Sequence, residues 1–280
     1  MTKIKLAFQG EKGAYSHIAC EEIFKGADIK NCKTFEETFK TVFDDESYKA
    51  IIPIENSLAG RVADIHYLLP KFKLQIYGEH YQKIEHCLLC KDEAEFKDIK
   101  HVRSHAQAIG QCQEIIKKNN FKSIISADTA GSAKDLSESN DNTIAAIASE
   151  LAAKTYGLKI LKKNIEDEAG NVTRFLVMGK NVSQPRYDKN KKYITTCIFR
   201  LKSEASALYK SLGGFATNQI NLTKLESFSV KNSFEQVNFY LDLEGHIEQK
   251  TVQKSLEELG FHTESLDILG VYEASTFRQK

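Results

Sequence analysis

Four short segments rich in glycine, hydroxyl and amide groups each sit at or next to an apolar run that reads as a strand. The first is Gln9-Gly10-Glu11-Lys12-Gly13-Ala14-Tyr15-Ser16-His17. Its glycines permit a tight turn, and free backbone N–H groups at the start of the following helix would hold an anion such as a carboxylate; taken alone, the segment reads first as an ordinary strand–helix turn. The second is Pro53-Ile54-Glu55-Asn56-Ser57, where Asn56 or Ser57 either caps a helix or lines a polar pocket. The third, Ala127-Asp128-Thr129-Ala130-Gly131-Ser132-Ala133, has the same two readings. The fourth, Asn171-Val172-Thr173-Arg174-Phe175, sets an arginine beside a hydroxyl at the entry to a strand. Ligand sites in α/β sheets lie beyond the carboxyl ends of strands, so four such segments suggest a common cleft. Hydroxyls, amides, backbone donors and an arginine suit a small, multiply charged anion. The glycines match neither a phosphate-binding loop nor the dinucleotide fingerprint.

The elements that must position these groups follow from periodicity. Ile4 to Phe8, Ala50 to Ile54 and Phe175 to Met178 are short apolar runs expected as strands. Helical spacing is expected over Tyr15 to Phe24, Leu58 to Leu69, His105 to Lys118 and Asn142 to Tyr156, the last ending on Gly157 as a C-cap. Such alternation implies a largely parallel sheet with helices on both faces, an α/β class. Asn181 to Lys192, polar and containing Pro185, reads as a linker. Beyond it the expected order is strand Tyr193–Leu201, helix Ala205–Phe215, strand Ile220–Phe228, strand around Val237–Leu243, helix Glu248–Leu259 and strand Ser265–Val271. That βαββαβ order is the ferredoxin-like plan. Alternation of Val237, Phe239, Leu241 and Leu243 with polar or exposed residues predicts a half-buried strand.

Composition narrows the class. With 280 residues the chain is long enough for two domains. A net charge of +1, with both signs interspersed, argues against nucleic-acid binding. No apolar run is long enough to span a bilayer. Met1 to Phe8 is too short and charged for a signal-peptide core, so a cytoplasmic protein is expected. The six cysteines lack a disulfide framework, and Cys87-Leu88-Leu89-Cys90 is a lone CxxC without the second pair a structural zinc site needs. His86 and His105 are the remaining candidates to complete one, with nothing in the sequence to place them there.

Taken together and in order, the segments resemble the prephenate dehydratase family. Gly13 to His17 matches its glycine turn into Tyr-Ser-His, and Pro53 to Ser57 its Pro-Ile-Glu-Asn-Ser motif. Ser104-His105-Ala106-Gln107-Ala108 matches Ser-His-Pro-Gln-Ala with alanine for proline; Thr129-Ala130 and Thr173-Arg174-Phe175 complete the set. The resemblance implies a bilobed catalytic region over residues 1–180 with type II periplasmic-binding-protein architecture, a linker at 181–192 and an ACT regulatory domain at 193–280. It implies loss of water and carbon dioxide from prephenate to give phenylpyruvate, driven by aromatisation, with no metal or organic cofactor. Thr173 would hydrogen-bond the departing hydroxyl, Arg174 would hold a carboxylate and Phe175 would pack against the ring or fix the turn. Gly13, Ala14, Tyr15, Ser16, Glu55, Asn56, Ser57, Ser104, Gln107, Thr129 and Ala130 would bind substrate.

In the ACT region Ala207, Leu208, Asn221, Leu222, Glu226 and Ser227 correspond to the family's effector segments, with phenylalanine the expected effector and a homodimer or homotetramer the expected assembly. There the sequence departs from the family: Glu226-Ser227-Phe228-Ser229 stands for Glu-Ser-Arg-Pro, and Ser206-Ala207-Leu208 for Gly-Ala-Leu. The domain serves either regulation or mainly a subunit interface. Arogenate dehydratase, on the same scaffold, and a non-catalytic bilobed amino-acid sensor are the alternative readings.

Overall fold

The computed structural model describes residues 3–229 and 236–279. The chain is mixed α/β and divides into two compact units: Met1–Thr38, Ile51–Val62 and His80–Phe175 form one, Phe39–Ala50, Ala63–Glu79 and Leu176–Lys280 the other. Strands Tyr48–Asn56, Gln75–Lys83 and Val172–Gly179 have residues in both. Residues 39–50 and 63–79 thus group with the C-terminal residues.

In the first unit one sheet carries Val172–Gly179, Tyr48–Asn56, Lys5–Gln9 and Asp28–Cys32 in that order. Leu6, Ala7 and Phe8 have no exposed surface, which is why this strand reads as an unbroken apolar run. A second sheet runs Lys159–Lys162, Cys87–Cys90, Ile144–Ala148, His101–His105, Lys122–Ser126. Its two faces are covered separately: Leu88 and Cys90 pack into one core, Cys87 and Leu89 into the other. Strand alternation therefore sends the two CxxC thiols to opposite faces, where they cannot share a metal ion.

Three expected helices differ in start or continuity. Over Asn142 to Tyr156 the structure has strand Ile144–Ala148 and then helix Glu150–Tyr156. An alanine-rich run buried on both sides carries no period that separates strand from helix; Ser149, whose hydroxyl accepts from Ala152 N, marks the true start, and Gly157 at φ 64° ends the helix as expected. Over Leu58 to Leu69 the chain first makes a hairpin, Gly60–Arg61 against Glu55–Asn56, and the helix is Ala63–Phe72. Asn56 takes the N–H groups of Leu58 and Ala59 on its side-chain oxygen, so it closes a turn instead of capping a helix. His105 to Lys118 is two helices, Ala106–Gly110 and Gln113–Lys118. They break at Gln111 because Asp167 accepts from Gln113 N and Glu114 N at 2.7 and 2.9 Å, a carboxylate on a helix N-terminus.

The second unit contains the expected βαββαβ order: strand Tyr193–Leu201, helix Ala207–Thr217, strands Leu222–Ser229 and Val237–Glu244, helix Lys250–Phe261 and strand Thr263–Glu273. Sheet order is Leu222–Ser229, Val237–Glu244, Tyr193–Leu201, Thr263–Glu273, followed by Gln75–Lys83. One face packs Cys197, Phe199, Leu241 and Leu243 against Phe215, Val252 and Leu259 of the two helices. Val237–Glu244 is not half-buried as expected: Tyr240 and Asp242 are also fully buried. The helix Ala63–Phe72 covers that face, with His66 edge-on to Tyr240 at 5.3 Å and tilted on Phe228 at 5.4 Å. Among the described residues no helix is long and apolar enough to cross a membrane.

Gly270 makes the added parallel strand possible. A Cβ there would lie 2.0 Å from the Ile76 carbonyl oxygen, its partner across the ladder. Gly270→Ala is expected to lower the thermal midpoint steeply or abolish soluble folding. Gly213→Ala, at an exposed helical position with open space around it, should instead stabilise by about 0.5–1 kcal/mol. Thermal unfolding of both variants checks the pair.

Candidate active site

The first unit holds a cavity of about 250 Å³ where the sequence-selected segments meet. Its wall includes the first residues of three helices: Ala14, Tyr15 and Ser16; His105, Gln107 and Ala108; Asp128 and Thr129. Helix starts carry the positive end of the helix dipole, which favours a negatively charged occupant; two of them are also capped by side chains in the wall, Gln107 N by His105 and Gly131 N by the Asp128 carboxylate. Pro53, Val62, Ile84 and Phe175 supply apolar surface, enough to contact a small ring. Asn56, Asn171 and Thr173 supply the polar floor.

That floor is tightly bonded. Asn56 Nδ2 donates to Thr173 Oγ1 at 2.9 Å and to Asn171 Oδ1 at 2.6 Å. Asn171, almost fully buried, donates onward to Gln111 Oε1 at 3.0 Å. His86 Nε2 lies 3.0 Å from the same oxygen, and His86 Nδ1 lies 2.8 Å from the Tyr15 hydroxyl. Burial lowers the His86 pKa, favouring neutral imidazole, while burial first and then neighbouring acidic groups raise the Tyr15 phenol well above its ordinary value. Thr173 Oγ1 accepts from Asn56, which leaves its own proton available to the cavity.

The structure brings together Ala14, Tyr15, Ser16, Asn56, Gln107, Thr129, Thr173 and Phe175. It leaves other expected residues outside the cavity wall. Arg174 is the main correction. Alternation along strand Val172–Gly179 sends Thr173 and Phe175 to the cavity and Arg174 to the other side. There its guanidinium is buried and pairs with Glu55 Oε1 at 3.0 Å, so the two expected substrate contacts hold each other. Ser104 is fully buried and donates to the Ile147 carbonyl at 2.6 Å, tying neighbouring elements of the second sheet. Ser57 accepts from Val172 N and stitches its turn to residues 170–172. Ala130 is helix core, with Asp128 Oδ1 accepting Gly131 N as the cap. Gly13, at φ +89°, is needed for close approach: a Cβ would meet the Ala152 backbone at 2.6 Å.

Sequence reasoning missed Gln111, weighed His86 only as a metal ligand, and passed over Asn171 although it opens the fourth segment. Gln111 had no local signal, because the helix break that frees it depends on Asp167. The thiols near the site are not nucleophiles: burial pushes Cys87 up to about 11 and Cys112 higher.

In the second unit the six expected effector residues are not gathered in one place. Ala207 and Leu208 line a cleft with Arg200, Lys202, Glu204 and Gln236. Leu222 packs against the helix-covered core, and Asn221 and Ser227 are exposed. Glu226 meets fully buried His66 at 3.1 Å and Lys224 Nζ at 2.6 Å.

Comparison with known proteins gives the family. The prephenate dehydratase family model matches residues 6–183. A bifunctional N-acyl-homoserine lactone acylase/prephenate dehydratase from Komagataeibacter europaeus is 41% identical over 98% of both chains. Arogenate dehydratase/prephenate dehydratase 2 of Arabidopsis thaliana is 35% identical over 98% of this chain and 74% of its own length. The crystal structure of prephenate dehydratase from Arthrobacter aurescens in complex with L-Phe, 27% identical, superposes with a TM-score of 0.88 over 97% of this chain and 90% of that one. The chain belongs to the prephenate dehydratase family.

The pairing of Glu226 gives a pH test. Burial pushes its carboxyl up, but His66 and Lys224 outweigh that and hold it at about 2. A depressed carboxylate stabilises the fold above its ordinary range, and the contribution is lost as pH falls toward the folded value. Glu226→Gln should lower the urea midpoint at about pH 7, and the gap from the parent should narrow by about pH 3. Denaturation curves at the two values measure it.

Proposed function

We propose that the chain converts prephenate to phenylpyruvate, with Thr173 as the group acting on the departing hydroxyl. The observation that carries this reading is the Asn56–Thr173 hydrogen bond, which occupies the threonine oxygen and leaves its O–H to donate. In the reaction the bond from ring carbon to carboxylate breaks and releases carbon dioxide. Its electron pair completes the aromatic ring as the C–O bond at the opposite ring carbon breaks. The oxygen takes one proton and leaves as water. Negative charge grows on that oxygen, and a positioned hydroxyl donor stabilises it there more than in the ground state. Threonine is a weak acid, so its part is the hydrogen bond and the relay of a proton, not free proton donation. The helix starts around the cavity, not Arg174, offer the counter-field for the substrate's carboxylates.

Arogenate is the second substrate to consider, because the Arabidopsis relative is named for both activities. The cleft lined by Ala207 and Leu208, on the expected ACT plan, is read as the place where phenylalanine acts; the Arthrobacter relative was crystallised with L-Phe.

Thr173→Val should reduce kcat for phenylpyruvate formation on the order of a hundredfold or more, with little change in KM, while Thr173→Ser keeps most of the rate. Turnover of prephenate and arogenate compared side by side assigns the substrate; no turnover of either by the parent chain would refute the reading. Added phenylalanine is expected to lower turnover of the full chain, and Leu208→Ala to weaken that inhibition. Initial rates over a phenylalanine series test it.

A further inference from the structure

Resting on the dehydratase reading, we propose that His86 is a positioning residue: as a neutral ring protonated on Nε2, it fixes the direction of the hydrogen-bond chain that ends at Thr173. The direction can be worked out from one end. Asn56 Oδ1 accepts from Leu58 N at 3.1 Å and Ala59 N at 2.9 Å, and two N–H donors cannot face an NH₂ group. The Asn56 NH₂ must therefore face Asn171 Oδ1 and Thr173 Oγ1. Asn171 then has only its NH₂ left for Gln111, whose Oε1 receives it at 3.0 Å. An amide oxygen accepts only, so the His86 nitrogen 3.0 Å away must carry a hydrogen.

The other ring nitrogen completes the assignment. In the neutral Nε2–H form Nδ1 carries the lone pair and accepts from the Tyr15 hydroxyl at 2.8 Å, for whose single proton the Glu85 carbonyl, also at 2.8 Å, competes. The one carboxylate bonded to the same residue, Glu166, is taken by the His86 backbone N–H at 2.9 Å. Burial of the ring, 2% exposed, opposes a second proton.

Inverting the tautomer would set an imidazole lone pair against the Gln111 oxygen. Relief by rotating Gln111 would put its NH₂ against that of Asn171, and so on to Asn56, where the two backbone donors block any reversal. The clash would fall between the NH₂ groups of Asn171 and Asn56, and moving them apart draws the Asn56 NH₂ off Thr173 Oγ1. A threonine no longer receiving from Asn56 turns its proton to other acceptors and away from the cavity. His86 lines the cavity, and its proposed effect on Thr173 runs through the three amides between them.

The test has two arms on the full chain. Two-bond ¹H–¹⁵N spectra of ¹⁵N-histidine-labelled protein, assigned with the His86→Gln variant, should show His86 neutral with hydrogen on Nε2 from about pH 6 to 8. A signal for the Nδ1–H form or for imidazolium overturns the proposal. In the second arm His86→Gln places an amide near the Nε2 position, whereas His86→Asn reaches only to that of Nδ1. Gln should keep kcat within about tenfold of the parent, and Asn should lose on the order of a hundredfold with KM nearly unchanged. Equal losses in the two variants, or a loss confined to KM, overturn it. A parent chain that shows the Nε2–H signal but turns over neither prephenate nor arogenate removes the positioning role together with the dehydratase reading, and leaves only the tautomer.

Discussion

Two backbone N–H groups, from Leu58 and Ala59, close on the side-chain oxygen of Asn56, and the chemistry of the cavity depends on that turn. The contact sets which end of one amide faces the site. Through Asn171 and Gln111 it sets the ends of two more, and it presents the Thr173 oxygen with a donor instead of an acceptor. Amides are well suited to this work because each carries a donor and an acceptor at fixed separation, and burial makes a mismatch expensive. The hairpin at Gly60–Arg61, which displaces the expected helix start, is what creates the turn. A structural irregularity and a chemical requirement have the same cause.

A site for a doubly charged anion invites an arginine, and the chain places one beside Thr173. Strand geometry takes it away again, since adjacent side chains point to opposite faces. Arg174 and Glu55 form an ion pair on the far side of the strand, holding the strand ends that carry Thr173 and Asn56. On the proposed reading the electrostatic burden falls on backbone N–H groups at helix starts, which are fixed in place and need no reorganisation when charge moves in the substrate.

The second unit shows the same substitution of context for motif. Glu226 and Leu208 belong to segments that resemble one effector site, yet Glu226 is held by His66 and Lys224 while Leu208 faces a separate cleft. His66 lies in the helix Ala63–Phe72, far along the chain from the strand it contacts, and the face of Val237–Glu244 expected to meet solvent meets that helix. The added strand at Gln75–Lys83 needs Gly270 for the same reason: another piece of chain comes too close for a side chain.

Local chemistry in the sequence determined much of this protein. The apolar runs, the βαββαβ order, the αL glycine at Gly157, and the four segments that supply most of the cavity wall all follow from short-range properties, namely side-chain period, backbone freedom and polarity. Tertiary structure alone decided the rest. It made Ile144–Ala148 an inner strand, because burial on both faces erases the period that distinguishes strand from helix. It brought Gln111 into the site through Asp167, more than fifty residues away in the chain, and put His86 beneath it. It turned Arg174 away from the cavity and Asn56 toward it. Residue types can announce that donors and acceptors are present, but their direction is a property of the closed network, and the network exists only once distant strands meet.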